Sequence, residues 1–121
     1  MSFEVNLQTV SVPVSADLST KQFLFGTINA SGQVAVTGAG VAADGVIALG
    51  PSAQGRPCGL ASFPGQIARV MAGAAFANGA LLEVDANGKA ITQSAGKIVA
   101  KALAAAGAAG DIVPALLILQ R

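Results

Sequence analysis

Short stretches in which apolar and polar residues alternate follow one another along the whole chain. Glycine separates them about every eight to twelve residues, a spacing typical of short β-strands joined by tight turns. No long stretch has the 3.6-residue period of a surface helix. The pattern predicts ten strands, at residues 4–12, 22–28, 33–36, 45–49, 56–61, 66–72, 80–84, 89–92, 97–103 and 112–119.

The predicted fold class is mainly all-β: a small β-sandwich or β-barrel-like domain of short strands. A chain of 121 residues suits one domain. We divide it into an extended N-terminal arm, residues 1–14, and a single β domain, residues 15–121. The alanines of residues 97–106 have high helix propensity, so one short helix at that position is the alternative to a strand.

Two stretches of the sequence align without a gap, INASGQVAVTGAG from Ile28 and VDANGKAITQSAG from Val84. Both predict hairpins, because Asn, Asp and Gly tolerate the positive φ angles of tight turns. The similarity has two interpretations, an internal duplication or shared turn chemistry. We favour shared turn chemistry.

The tail, residues 98–119, is apolar enough to resemble a membrane helix. Asp111 lies within it, and a buried carboxylate would cost about 2.5 to 3.5 kcal/mol, which cancels the gain from the branched residues. Gly107, Gly110 and Pro114 also disfavour a helix. The tail therefore predicts two strands joined by a turn, and no membrane contact is expected.

Charged residues make up only 11% of the chain, while the apolar group that includes alanine makes up 53%. With so few charges, either small and uncharged polar residues form much of the surface, or parts of it are buried against other subunits. We favour burial against other subunits. The net charge of +1 does not predict nucleic-acid binding. The single cysteine excludes an internal disulfide, and the absence of histidine removes the commonest general base.

No stretch of the sequence predicts a catalytic, cofactor or metal site, and we expect the protein not to be an enzyme. Residues 83–94 resemble an EF-hand calcium loop, but Ser94 stands where a bidentate Glu is required. Cys58 lies near Arg56, yet no histidine is available to act as its base. Lys89 follows a turn, as the modified lysine of a lipoyl or biotinyl carrier domain does, and this carrier or ligand-binding domain remains a minor alternative.

From Gln66 onward the sequence resembles the head decoration, or capsid cement, proteins of tailed bacteriophages. The resemblance depends on Gly73-Ala74-Ala75 and Gly79 before an apolar strand, and on the turn 85–88. It continues through Ala95-Gly96, an alanine-rich strand, and Ala109-Gly110-Asp111 before the last apolar strand. It implies a mostly β structural protein that binds the outer surface of an assembled phage capsid and stabilises the shell.

The resemblance also implies the partners and the location. The partners would be the major capsid protein and further copies of the chain, most often as a trimer. The protein would be made in the host cytoplasm and reside on the outer capsid surface of the virion. Another phage structural module, such as a tail or minor capsid component, is the main alternative.

The arm is the candidate contact with the capsid. Its apolar residues alternate with polar ones, so an extended arm could add a strand to the edge of a neighbour's sheet and fill pockets on one face. The alternative is that this stretch is the protein's own first strand. The candidate partner-binding residues are Phe3, Val5, Leu7, Val10 and Val12.

Overall fold

The computed structural model of the protein describes residues 9–49 and 56–121. This part of the chain contains ten β-strands and no helix. The strands are β1 (Thr9–Pro13), β2 (Phe25–Ile28), β3 (Val34–Val36), β4 (Gly45–Leu49), β5 (Pro57–Ala61), β6 (Ile67–Met71), β7 (Leu81–Val84), β8 (Ala90–Thr92), β9 (Ala100–Ala102) and β10 (Ile112–Leu117).

The ten strands form two antiparallel sheets of five, in the orders β1-β5-β4-β2-β3 and β6-β10-β9-β7-β8. The all-β prediction is confirmed. The alternative of a short helix at residues 97–106 is wrong, since β9 lies there. Ala100 and Ala102 are buried while Lys101 between them is exposed, so burial on one face of a sheet outweighs the helix propensity of the alanines.

The two sheets have the same topology. We call residues 9–61 the first unit and residues 67–117 the second, and the nth strand of each occupies the same place in its sheet. Each sheet also curls until its two edge strands meet at one end, through a single parallel bridge: Val14 to Val34 in the first unit and Ala72 to Ala90 in the second. Both units are therefore barrel-like.

The two aligned hairpins lie at equivalent positions in the two units. In each, one oxygen of Asn29 or Asp85 accepts hydrogen bonds from backbone N–H groups two and four residues further on, at 2.8 to 3.0 Å. Gly32 and Gly88 follow with φ angles of 74° and 80°. The equivalence extends to the whole five-stranded units, which favours an internal duplication over the shared turn chemistry that the two stretches alone suggested.

The core has two parts. A smaller cluster fills the interior of the first unit and consists of Val14, Leu18, Val34, Ile47, Cys58 and Leu60. The larger cluster joins the units: Phe25, Val46 and Ala61 of the first unit pack with Leu82, Val84 and many alanines of the second. Main-chain hydrogen bonds also join them, from Phe25 to Gly88 and from Gly40 to Val84, both 2.9 Å long.

The tail forms two strands joined by a turn, as predicted. Asp111 ends the turn, and its carboxylate accepts hydrogen bonds from the N–H groups of Gly107 and Ala108, at 2.8 and 3.2 Å. Residues then alternate between exposed and buried along β10. No helix among the described residues has the length and apolarity needed to cross a membrane.

Pro114 lies within β10 at a point where the sheet tolerates it. On the β6 side, Pro114 lies opposite Arg69 in a pair that forms no ladder hydrogen bonds. On the β9 side, its carbonyl accepts a hydrogen bond of 3.0 Å from the N–H of Leu103, a residue just beyond the end of β9. The missing N–H therefore costs the sheet a bond only at the end of a ladder.

Gly88 and Gly32 provide a matched pair of substitutions. Both have positive φ, but a Cβ at Gly88 would overlap Val36, whereas a Cβ at Gly32 meets nothing within 4 Å. We expect Gly32→Ala to lower the free energy of unfolding by about 1 to 2 kcal/mol through backbone strain. Gly88→Ala should cost a further 1 to 3 kcal/mol or so because it overpacks the contact between the units. Urea unfolding measures both, and equal losses would contradict this packing.

Candidate interaction surface

The candidate partner-binding residues lie at or beyond β1, an edge strand of the first sheet. Val10 and Val12 are half-buried and pack against the interior of their own unit. The other side chains of β1, those of Thr9, Ser11 and Pro13, are exposed. Phe3, Val5 and Leu7 lie outside the described residues. β1 is thus a strand of the protein's own sheet, and the role of these five residues in binding a partner stays a prediction.

The register of β1 determines which of its backbone groups remain available. Val14, just after the strand, donates its N–H to the carbonyl of Arg56 at 3.0 Å. Every second residue before it, Val12 and then Val10, lies opposite a residue of β5 in the same phase of the ladder, and these partners are Cys58 and Leu60. Antiparallel pairs alternate between hydrogen-bonded and non-hydrogen-bonded. The even-numbered residues of β1 therefore bond to β5.

The odd-numbered residues of β1 direct their backbone groups away from β5. Pro13 lies opposite Pro57, a non-hydrogen-bonded pair in which neither proline removes a ladder bond. Thr9 and Ser11 carry their N–H and C=O groups on the outer side. This edge can accept another strand.

A second exposed surface is the outer face of the second sheet. Ile112 and Leu81 are 45% and 41% exposed, and Leu116 lies directly between Ile67 and Lys101 in the strand register. Large apolar side chains dominate the face, and Arg69 and Lys101 are its exposed charges. We call this the outer face; it consists of Ile67, Arg69, Met71, Leu81, Lys101, Ile112, Pro114 and Leu116.

The carboxylates of the described residues all hold loops. Each accepts a hydrogen bond from at least one backbone N–H group, and the residues are Asp17, Asp44, Glu83, Asp85 and Asp111. The one ion pair among the described residues joins Asp44 to Arg121. Partial burial acts to raise the pKa of Asp44, but the bonds from Arg121 and from the N–H of Ile28 outweigh it and hold that pKa below its usual range.

Glu83 holds the loop that lies against the first unit. Its carboxylate accepts from the N–H groups of Ser94 and Gly96, and Gly96 lies so close to Gly40 that a Cβ on it would stand 2.6 Å from the Gly40 Cα. The bond from Ser94 lowers the pKa of Glu83 most, and burial acts in the opposite direction with less effect. The charged form of Glu83 is the one that stabilises this contact.

Cys58 and Lys89, the two side chains considered above for reactivity or modification, lie in environments typical of structural residues. Cys58 is fully buried in the first unit, and burial raises the pKa of its thiol, which disfavours the reactive thiolate. Lys89 is half-buried beside the hairpin turn instead of extending from a solvated tip. Among residues 9–49 and 56–121 there is no group of three side chains that could hold a metal ion. The open edge and the apolar face suit docking to another protein.

Comparison with known proteins adds two findings. A family model described as phage cement protein matches residues 9–117. The chain is also similar to a solved structure titled "The crystal structure of head fiber gp8.5 N base in bacteriophage phi29". The TM-score is 0.70 at 13% identity, covering 96% of this chain and 98% of that chain, so the likeness concerns the fold. A search of curated protein sequences found no match.

The charge of Glu83 should make stability depend on pH. Its pKa in the folded protein lies below that of the unfolded chain, so its contribution is complete above about pH 4.3 and is lost as the pH falls through the lowered folded value. Glu83→Gln keeps an acceptor oxygen but removes the charge. The difference in urea midpoint between the wild type and this variant should therefore shrink between about pH 7 and pH 3; a constant difference would contradict the assignment.

Proposed function

The chain belongs to the phage cement protein family, and we propose that it binds the outer surface of the assembled phage capsid and stabilises the shell. The observation that carries this proposal is the family match, which spans both five-stranded units. A phage structural protein needs no catalytic set, and the carboxylates of the described residues serve to hold loops. Its partners are the major capsid protein and further copies of itself, with a trimer as the expected assembly.

The β1 edge and the part of the arm that precedes it in the sequence, residues 1–8, are the proposed primary contact. A strand added along this edge would gain main-chain hydrogen bonds to Thr9 and Ser11, while Phe3, Val5 and Leu7 fill pockets on the shell protein. The exposed apolar residues of the outer face support a further contact, since large unpartnered apolar patches mark interaction surfaces.

Stabilisation of the shell would come from repetition. Each contact contributes modestly, but copies joined in a closed oligomer hold one another in place, so release of one attachment is followed by rapid rebinding at high effective concentration. Shell subunits tied together in this way resist separation under the pressure of packaged DNA.

A second candidate function is the base of a fibre on the phage head. The specific observation in its favour is the fold similarity to the head fibre base of bacteriophage phi29 over nearly the whole length of both chains. Electron microscopy of particles with and without the protein separates the possibilities. Compact density across the outer lattice supports cement, density that continues into a projecting fibre supports the second candidate, and density only at a tail or portal vertex excludes both.

Deletion of residues 2–8 tests the arm. Because this variant retains β1 and the fully buried Val14, we expect it to keep the folded core. Its binding to phage heads that lack the protein should fall by at least about tenfold. Circular dichroism and co-sedimentation measure the two properties.

A matched control is Thr9→Ser, which changes an exposed side chain of β1 but keeps every backbone group. It should bind like the wild type. Binding by the deletion variant at the wild-type level would show that the arm is not the contact.

A further inference from the structure

A cavity of about 200 Å³ lies where β6 meets the first unit. Small apolar side chains and one aromatic ring form most of its lining, with an amide and a guanidinium as its polar groups. The lining residues are Gln22, Phe23, Val46, Ala48, Ala61, Ala68 and Arg69. The cavity has room for one apolar side chain of moderate size.

The backbone of β6 faces this cavity with open hydrogen-bonding groups. Ala72 donates to the carbonyl of Asp111 at 2.8 Å, and Leu117 donates to that of Gln66 at 2.9 Å. In an antiparallel pair this register assigns the even-numbered residues of β6 to bonds with β10. The backbone groups of the odd-numbered residues point away from β10.

The open stretch of β6 runs from Ile67 to Arg69. The next outward group, the N–H of Met71, donates to the carbonyl of Phe23 at 3.0 Å and so ends the stretch. Among the described residues, the outward backbone groups of Ile67 and Arg69 have no backbone partner. This segment is a short strand edge with a cavity beside it, and such an edge can bind an added strand.

Phe23 forms the aromatic part of the cavity lining, and its backbone is strained. Its φ is 72°, and it occupies the position that Gly79 occupies in the second unit with a φ of 85°. The two turns match: Leu24 donates to Lys21, and Ala80 donates to Ala77, each at 3.2 Å. A bulky residue is strained in this conformation whereas glycine is not. Backbone strain of this kind is concentrated at binding and active sites, which makes the Phe23 side chain a candidate contact for a ligand.

The charge at the cavity defines the complementary ligand. Arg69 is the one charged residue in the lining, and within the described residues the only ion pair is the one between Arg121 and Asp44. The guanidinium is exposed and therefore available. A carboxylate is its natural partner, since the planar group can donate two parallel hydrogen bonds.

We propose that the open edge of β6 binds an extended segment of the shell protein as an added strand, with a carboxylate at Arg69 and an adjacent apolar side chain in the cavity. Arg69 and Ala68 lie on opposite faces of β6, so the segment alternates acidic and apolar residues. This inference rests on the proposed function and adds a second contact, separate from the arm.

Charge reversal and cavity filling test the proposal. Arg69→Glu repels the carboxylate, and Ala48→Leu fills the cavity from a half-buried position. Each should weaken binding to phage heads that lack the protein by at least about tenfold, at an unchanged melting temperature. Lys97→Glu reverses an exposed charge outside both the cavity lining and the outer face and is the matched control, with an expected change of less than about twofold.

Wild-type binding by Arg69→Glu would overturn the proposal. Equal losses in Arg69→Glu and Lys97→Glu would also overturn it, because reversal of any exposed positive charge would then weaken binding. If Ala48→Leu does not fold, Phe23→Gly takes its place, since it removes the aromatic ring and relieves the strain; it should likewise bind at least about tenfold less tightly.

Two further outcomes separate this proposal from others. Rescue of Arg69→Glu by Glu4→Arg would identify the occupant as the arm of another copy and overturn the assignment to the shell protein. Failure of the wild type itself to bind heads would overturn the proposed function. If the variant lacking residues 2–8 loses binding while Arg69→Glu binds fully, only this inference is overturned.

Discussion

The hydrogen-bond ladder between very short strands is the constraint on which this structure depends. The strands contain three to six residues each, too few for any pair to be stable alone. Each unit therefore curls until its two edge strands meet at one bridge, which leaves only a few backbone groups unpaired. The outward groups of the edge strands β1 and β6 are among them, and these two edges are the proposed sites for an added strand.

Small residues make the packing of the two curled units possible. Ala43, Ala61, Ala68, Ala72 and Ala90 are almost fully buried in the shared core, and Gly40 and Gly96 touch where the units meet. The described carboxylates are used on backbone N–H groups of the loops, so they stabilise connections that small side chains alone would leave open.

The strand positions were predictable because alternation and glycine spacing are local signals. The turns at Asn87-Gly88 and Ala109-Gly110-Asp111 were predictable for the same reason. The strand order was not, since it depends on pairing between residues distant in sequence.

The similarity of the two units was hidden in the sequence because the units share turn geometry more than side chains: Phe23 occupies the position of Gly79, and Ser11 that of Arg69. Alanine propensity suggested a helix at residues 97–106, but the alternating burial of Ala100, Lys101 and Ala102 decided for a strand. The cavity arises only when β6 packs against β4 and Phe23, so no local pattern could indicate it.

The duplication explains why the two units present similar edges with different chemistry. β1 and β6 occupy the same place in their sheets, and both direct their odd-numbered backbone groups outward. In the first unit that edge runs from Thr9 to Pro13 and carries no charged residue. In the second it carries Arg69, borders a cavity and ends where Met71 bonds to Phe23. Topologically equivalent edges of the two units thus form two distinct surfaces on a single body joined by a common core. If both proposed contacts form, the core holds the two edges at a set distance, so binding at one raises the effective concentration of the other.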